Sequence, residues 1–212
     1  AEGSTLARFS VALFAGLWGL RLFLSLLIRV RHEPEDGRYQ ALRAAWNSSP
    51  AKLFVFFQGQ AVIVALFSLP FIAAANNTNV SLDFWFFAAV AVFILSVAGE
   101  SLADRQLAAF RNNPANRGKT CRNGLWAWSR HPNYFFEWLH WFAYLFLAIG
   151  SPQFWLSLIG PVVMLAFLYR VSGIPWTEAQ ALRSRGDDYR RYQSEVSAFF
   201  PLPPKPSKNG VL

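Results

Sequence analysis

Cysteine is almost absent from this 212-residue chain. Cys121 is the only one, so no intramolecular disulfide can form and the redox compartment stays open. Charge is scarce as well: 15% of residues are charged, against about 25% in an ordinary soluble domain. Acids are the scarcer sign, 12 against 20 Lys and Arg, which leaves a formal charge of +8. No internal repeat is visible, and no signal-peptide pattern, because the first apolar run does not end in a small-residue cleavage site. The sequence opens on Ala1 rather than Met, which reads as processing or truncation. What fills the space is apolar: 54% hydrophobic and 17% aromatic residues, with nine Trp and 21 Phe. That balance predicts an all-α, polytopic integral membrane helix bundle.

Five spanning segments are expected, with interfacial helices between them: Phe9–Val30, Lys52–Ala75 with Pro70 inside, Leu82 to about Phe110, a shortened Asn133–Ile149, and Phe154–Val171. The segment His32–Gly37 reads as a helix break. Arg38–Trp46 reads as a short interfacial helix with Tyr39, Leu42 and Trp46 on one side. Asn112–Asn123 is a loop marked by Pro114 and Gly118, and Gly150-Ser151-Pro152 a tight turn. Trp176–Phe200 reads as one or two amphipathic helices, followed by an extended Pro-rich tail. The expected organisation is a single membrane domain over residues 1–204, with a cofactor-side core at 99–200 and a flexible tail at 205–212.

Eighteen of the twenty Lys and Arg fall in three regions, Arg29–Lys52, Arg105–Arg130 and Arg170–Lys208. The turns at Asn76–Ser81 and Gly150–Gln153 hold none. Five alternating spans put all three basic regions on one face, so the positive-inside rule predicts a cytoplasmic C-terminus, in a bacterial inner membrane or an endoplasmic reticulum-like membrane. The net charge is then topology, and nucleic acid is not an expected partner. Asn76-Asn77-Thr78 and Asn79-Val80-Ser81 match the glycosylation triplet, but so short a turn favours chance.

Ionisable residues crowd one stretch, from Glu100 to Tyr144, between apolar runs. A charge at membrane depth costs about 2.5–3.5 kcal/mol on insertion scales, so such residues point to a functional site. Glu100, Asp104 and Arg111 share a helical stripe at i, i+4 and i+11. Either they cap and anchor a helix end, or the acids meet a ligand's hydroxyls or amide while the Arg holds a phosphate. Arg111, Arg117, Lys119 and Arg122 give a basic loop suited to phosphate, although a basic loop at that face needs no ligand. In Ser129-Arg130-His131-Pro132-Asn133-Tyr134-Phe135-Phe136-Glu137-Trp138, Pro132 suits a first helical turn. Asn133, Glu137, Trp141 and Tyr144 then share a stripe, with Arg130 and His131 at the helix mouth. Glu178, Arg183, Arg185, Asp187, Asp188, Tyr189 and Tyr192 belong either to a solvated helix or to a lid over the pocket. No residues are assigned to a metal.

At Glu100-x3-Asp104-x6-Arg111, the SRHPNYFFEW block and the Glu178–Phe200 tail, the sequence resembles the steroid 5-alpha-reductase-like membrane proteins, and most of all their bacterial branch of uncharacterised proteins. The likeness covers about Trp18 to Pro204. Sterol carbon-14 reductases and isoprenylcysteine methyltransferases are related. The resemblance implies an NADPH site in which Asp104, Arg111, Asn133 and Glu137 match cofactor-contacting positions, Lys119 lies near a phosphate-contacting one and Arg21 matches an Arg of the cofactor-side helix, while Glu100 stands where the steroid reductases tend to have Asn; Arg130, His131, Tyr134, Glu178 and Tyr189 complete the expected cofactor site from their own placement. Two departures concern the substrate side. Trp18 stands where the steroid reductases carry a Tyr, and further N-terminal helices usual in the family are not in this sequence. The implied activity is NADPH-dependent reduction of a lipophilic enone or sterol-like double bond. The proton donor is open, with Tyr134 and Tyr144 as guesses. Two alternatives stand: an S-adenosylmethionine-dependent methyltransferase, and a non-catalytic membrane subunit or lipid-binding scaffold. Expected partners are membrane lipid, a lipophilic substrate, and the further N-terminal helices or other membrane subunits.

Overall fold

The computed structural model describes residues 3–32, 37–171 and 173–206. The expected break at His32–Gly37 falls largely on residues 33–36, outside the described set. Regular structure among the described residues is entirely helical, and the chain is a polytopic helical membrane protein. Four helical stretches are long and apolar enough to cross a membrane: Thr5–Ile28, Pro50–Ala75, Phe84–Asn112 and Phe154–Arg185. The helix over the expected fourth span, Pro132–Leu147, has 16 residues. At 1.5 Å per residue it reaches about 24 Å, short of a hydrocarbon core of about 30 Å. The chain packs as two compact units.

The first unit comprises Ala1–Ser81 and Ala148–Gly160. It holds α1 (Thr5–His32), α2 (Gly37–Ala45), α3 (Pro50–Ala75) and α6 (Phe154–Ser157). Leu13, Leu17, Phe23, Phe54, Val62 and Val64 are all exposed, as expected of helices solvated by lipid rather than water. Tyr39 and Trp46 both set their rings edge-on to Phe56 of α3, so the interfacial helix uses the face its sequence marks as apolar. The Asn-rich turn is a structural device. Asn77 is wholly buried and donates to the Ile149 carbonyl at 2.8 Å. Asn79 donates to Gly150 at 3.0 Å, and Asn76 to Gln153 at 3.2 Å.

The second unit comprises Leu82–Leu147 and Pro161–Leu212. Its frame is α4 (Phe84–Asn112) packed against α5 (Pro132–Leu147). The Asp83 side chain caps α4 by accepting from the Phe86 amide at 3.0 Å. Buried positions on α4 are Ala89, Phe93, Ser96, Gly99, Glu100 and Ala103, a four-three spacing that keeps one seam facing inward. Gly99 lies against the Phe136 ring, where any Cβ would collide.

The expected fifth span is interrupted. α6 ends at Ser157, α7 runs Ile159–Ala166, and Phe167–Val171 is π-helical. Pro161 explains the break, since it has no N–H to give to Ser157 and its ring crowds that carbonyl. Then follow α8 (Ile174–Arg185) and α9 (Asp187–Glu195), the two short helices expected, joined by Gly186 at φ 54°. Residues 201–206 have no regular secondary structure, the Lys205 amide donates to the Glu195 carbonyl at 2.8 Å, and the rest of the expected tail lies outside the described residues.

Candidate functional site

The polar residues of the second unit sort into three groups. The first centres on Glu178, on α8. Its carboxylate accepts from Arg130 Nε at 2.7 Å, Gln193 Nε2 at 2.8 Å and the Tyr189 hydroxyl at 3.4 Å, and it meets His131 Nε2 at 3.3 Å. Arg130 also donates to the carbonyls of Gln193 and Val196, at 2.9 and 2.7 Å. Arg130 and Glu178 are about 11% and 15% exposed, so the pair is sheltered from solvent. The His131 ring stacks on Tyr134, 5.2 Å between centroids and 7° between planes. Burial first, then the Glu178 carboxylate, pushes the Tyr189 hydroxyl above its ordinary range, so it stays protonated and donates. Four expected site residues, Arg130, His131, Glu178 and Tyr189, are thus brought together, with the Glu178 carboxylate contacting the other three. The C-terminal helices therefore pack onto the segment before α5 through Arg130 and Glu178, while Asp187 and Arg190 of α9 remain exposed.

The second group is a cleft of about 150 Å³ beyond the last turns of α4. Arg111, Arg117, Lys119 and Arg185 line it, with Gly118 and Cys121, and no acid is among the lining residues. Asn113 and Asn116 shape its loop. Asn113 Oδ1 accepts from the Ala115 amide, and Asn116 Nδ2 donates to the Phe110 carbonyl at 2.9 Å. Gly118 at φ 77° turns the chain where a side chain would be strained. Burial pushes the Cys121 thiol up, which makes it a packing residue more than a nucleophile. Arg122 does not join this group as expected. It donates to Glu195 at 2.6 Å and to the Asp188 carbonyl at 3.0 Å, so its charge is spent on α9.

The third group lies where α4 meets α5. Asn133 Nδ2 donates to Asp104 Oδ1 at 3.3 Å. Asn133 Oδ1 is buried and has no hydrogen-bond partner among the described residues. Glu100 is buried on α4, and Glu137 is half-buried one turn beyond Asn133 on α5. Tyr144 is wholly buried, its hydroxyl 2.9 Å from His140 Nε2, and a reacting group would have to displace that packing to reach it. Arg21 is half-buried on α1 in the first unit.

Two of these groups fit a phosphorylated, hydroxyl-bearing cofactor in kind. The cleft offers cations and backbone amides to an anion. The orphaned Asn133 Oδ1 calls for a donor, which a ribose hydroxyl or a carboxamide would supply. At about 150 Å³ the cleft has room for phosphate rather than for a whole dinucleotide, since ligand pockets run to about 300–1,000 Å³. Sequence reasoning named Arg185 and Asp188 without giving them a role in the site, and missed Gln193 and Glu195. The acids and Gln193 carried no signal beyond their place on a polar helix face.

The chain belongs to the DUF1295 family, described as proteins of unknown function, whose profile matches residues 1–196. No curated protein and no solved structure matches it.

Proposed function

We propose that the chain is an NADPH-dependent membrane reductase acting on a lipophilic enone or sterol-like double bond, with its C-terminus on the cytoplasmic side. The observation that carries this reading is the occurrence, in one unit, of a basic cleft with no acid among its described lining residues and of Asn133 Oδ1, a buried acceptor without a donor among the described residues. Asp104 and Arg111 lie seven residues apart on α4, about 10 Å along the axis, so hydroxyl-binding and phosphate-binding groups sit on one rod. Arg111, Arg117, Lys119 and Arg185 would hold phosphate, and Asp104 with Asn133 would orient a ribose or amide. The reductase assignment itself rests on the resemblance of the SRHPNYFFEW block and the Glu100–Arg111 stripe to steroid 5-alpha-reductase-like proteins. A reduced nicotinamide supplies a hydride, and binding supplies the orientation that makes transfer productive.

The basic cleft separates this reading from a methyltransferase, because S-adenosylmethionine is cationic and gains nothing from four neighbouring cations. Thermal unfolding of the purified protein in detergent tests it. A ligand that binds only the native state adds about 2.7 kcal/mol at a hundred times its Kd, so NADPH should raise Tm most, NADH less and S-adenosylmethionine least. Greater stabilisation by S-adenosylmethionine overturns the reductase reading in favour of the methyltransferase. A reporter fused after Leu212 that reads outside the cytoplasm overturns the orientation.

A further inference from the structure

Three acids lie on α9, which follows Arg185 of the cleft after Gly186, and none of them lines the cleft: Asp187, Asp188 and Glu195. Two of them hold the cleft's loop. Asp188 Oδ2 accepts from the Thr120 backbone amide at 2.7 Å, one residue after Lys119. Arg122 completes the attachment, 2.6 Å from Glu195 and 3.5 Å from Asp188, with its guanidinium 5.4 Å above the Tyr192 ring. The other end of the loop is tied to α4 through Asn116. The segment that presents Arg117, Gly118 and Lys119 is therefore pinned at both ends. Asp187 makes no such contact; it pairs with Arg190 on the same helix and is nearly fully exposed.

Resting on the reading of the cleft as the phosphate end of the site, we propose that Asp188 and Glu195 are positioning residues for anion binding. They act through Thr120 and Arg122, holding the basic loop in its binding shape. The proposal reverses the sign that charge alone gives. Removing a negative charge beside a basic cleft should tighten an anion by Coulomb's law. If the acids preorganise the loop, removing them weakens the anion, because the ligand must then order the loop itself.

The experiment measures binding of NADPH and of inorganic pyrophosphate to the purified 212-residue chain in detergent. The variants are Asp188→Asn, Glu195→Gln and the control Asp187→Asn. We expect Kd for both probes to rise roughly tenfold in the first two variants, and to hold or fall slightly in the control. Hydrogen exchange gives a second readout: protection of residues 117–121 should drop in Asp188→Asn and Glu195→Gln while α4 and α5 keep theirs. The double variant Arg122→Glu, Glu195→Arg reverses the pair at constant net charge and should recover part of the affinity. Tighter binding in Asp188→Asn and Glu195→Gln, or weakening equal to that in Asp187→Asn, overturns the proposal. If pyrophosphate follows the expected order while NADPH does not bind, the positioning role stands and the cofactor reading falls. Binding of neither probe overturns both.

Discussion

The network around Glu178 makes the sharpest statement about stability, and Glu178→Gln tests it with least disturbance of shape. The wild-type carboxylate takes hydrogen bonds from Arg130 and Gln193 at 2.7 and 2.8 Å, with His131 and Tyr189 at the edge of range. A glutamine keeps one carbonyl acceptor for Arg130 but turns an NH2 donor toward Gln193, donor against donor. Arg130 retains the carbonyls of Gln193 and Val196, so it is not stranded. Hydrogen bonds to charged groups are worth about 1.5–3 kcal/mol, and breaking a buried pair outright costs about 3–5 kcal/mol. With Glu178 about 15% exposed and partial compensation left, the loss should be about 2–3 kcal/mol. For a chain of this size each kcal/mol moves Tm by about 2–4 °C, so a fall of roughly 5–10 °C is expected. The assay is thermal unfolding in detergent against Asp187→Asn, whose exposed pair with Arg190 should leave Tm unmoved. A Glu178→Gln shift of under about 2 °C, or one no larger than that control, would refute the reasoning.

Four further outcomes are expected. Gly99→Ala places a methyl against Phe136 in the α4–α5 seam and should cost about 1–3 kcal/mol, with part restored by adding Phe136→Leu; unfolding midpoints check both. Arg130→Lys keeps the charge but cannot serve Glu178 and two carbonyls from one planar fork, so its Tm should fall although the charge is unchanged. Partial burial pushes the Asp188 carboxyl up, but the Thr120 hydrogen bonds and the Arg122 charge outweigh it and hold the group below its ordinary value. Its contribution is therefore full above about pH 4 and fades as pH falls through the lowered value; exchange protection of the Thr120 amide should drop in that acid window and not at neutral pH. Glu137→Gln should weaken NADPH about tenfold with Tm little changed, measured on one purified variant, since the carboxylate is half-buried one turn from Asn133.

The helical architecture was legible because lipid solvation leaves a coarse mark: long apolar runs bounded by charge, Pro132 at a first turn, and Gly118 and Gly150 at turns. The interruption after Ser157 was legible too, in Pro161, but a run read for apolar length alone passes over it. What the sequence could not give is pairing. Arg130 and Glu178 are 48 positions apart, Thr120 and Asp188 68, and Arg122 and Glu195 73. Charge says that each needs a partner and says nothing of which. Arg122 is the telling case. On a basic loop it reads as one more phosphate ligand, and only the return of α9 shows it to be a tether.

That misreading points to how the charges of this unit are divided. α8 and α9 bring Glu178, Asp188 and Glu195 toward a segment rich in Arg, and a random arrangement would neutralise the whole surface. Instead Arg122 and Arg130 take up these acids, at contacts of 2.6 and 2.7 Å. The cleft beyond them is left with Arg111, Arg117, Lys119 and Arg185 and no acid in its lining. Four cations held together in one cleft repel each other, a cost that nothing in the packing of α4 on α5 requires. The α9 acids Asp188 and Glu195 are bonded to Thr120 and Arg122. With those acids occupied, the cleft keeps a basic lining, and an anion would be stabilised there if the proposed cofactor reading holds.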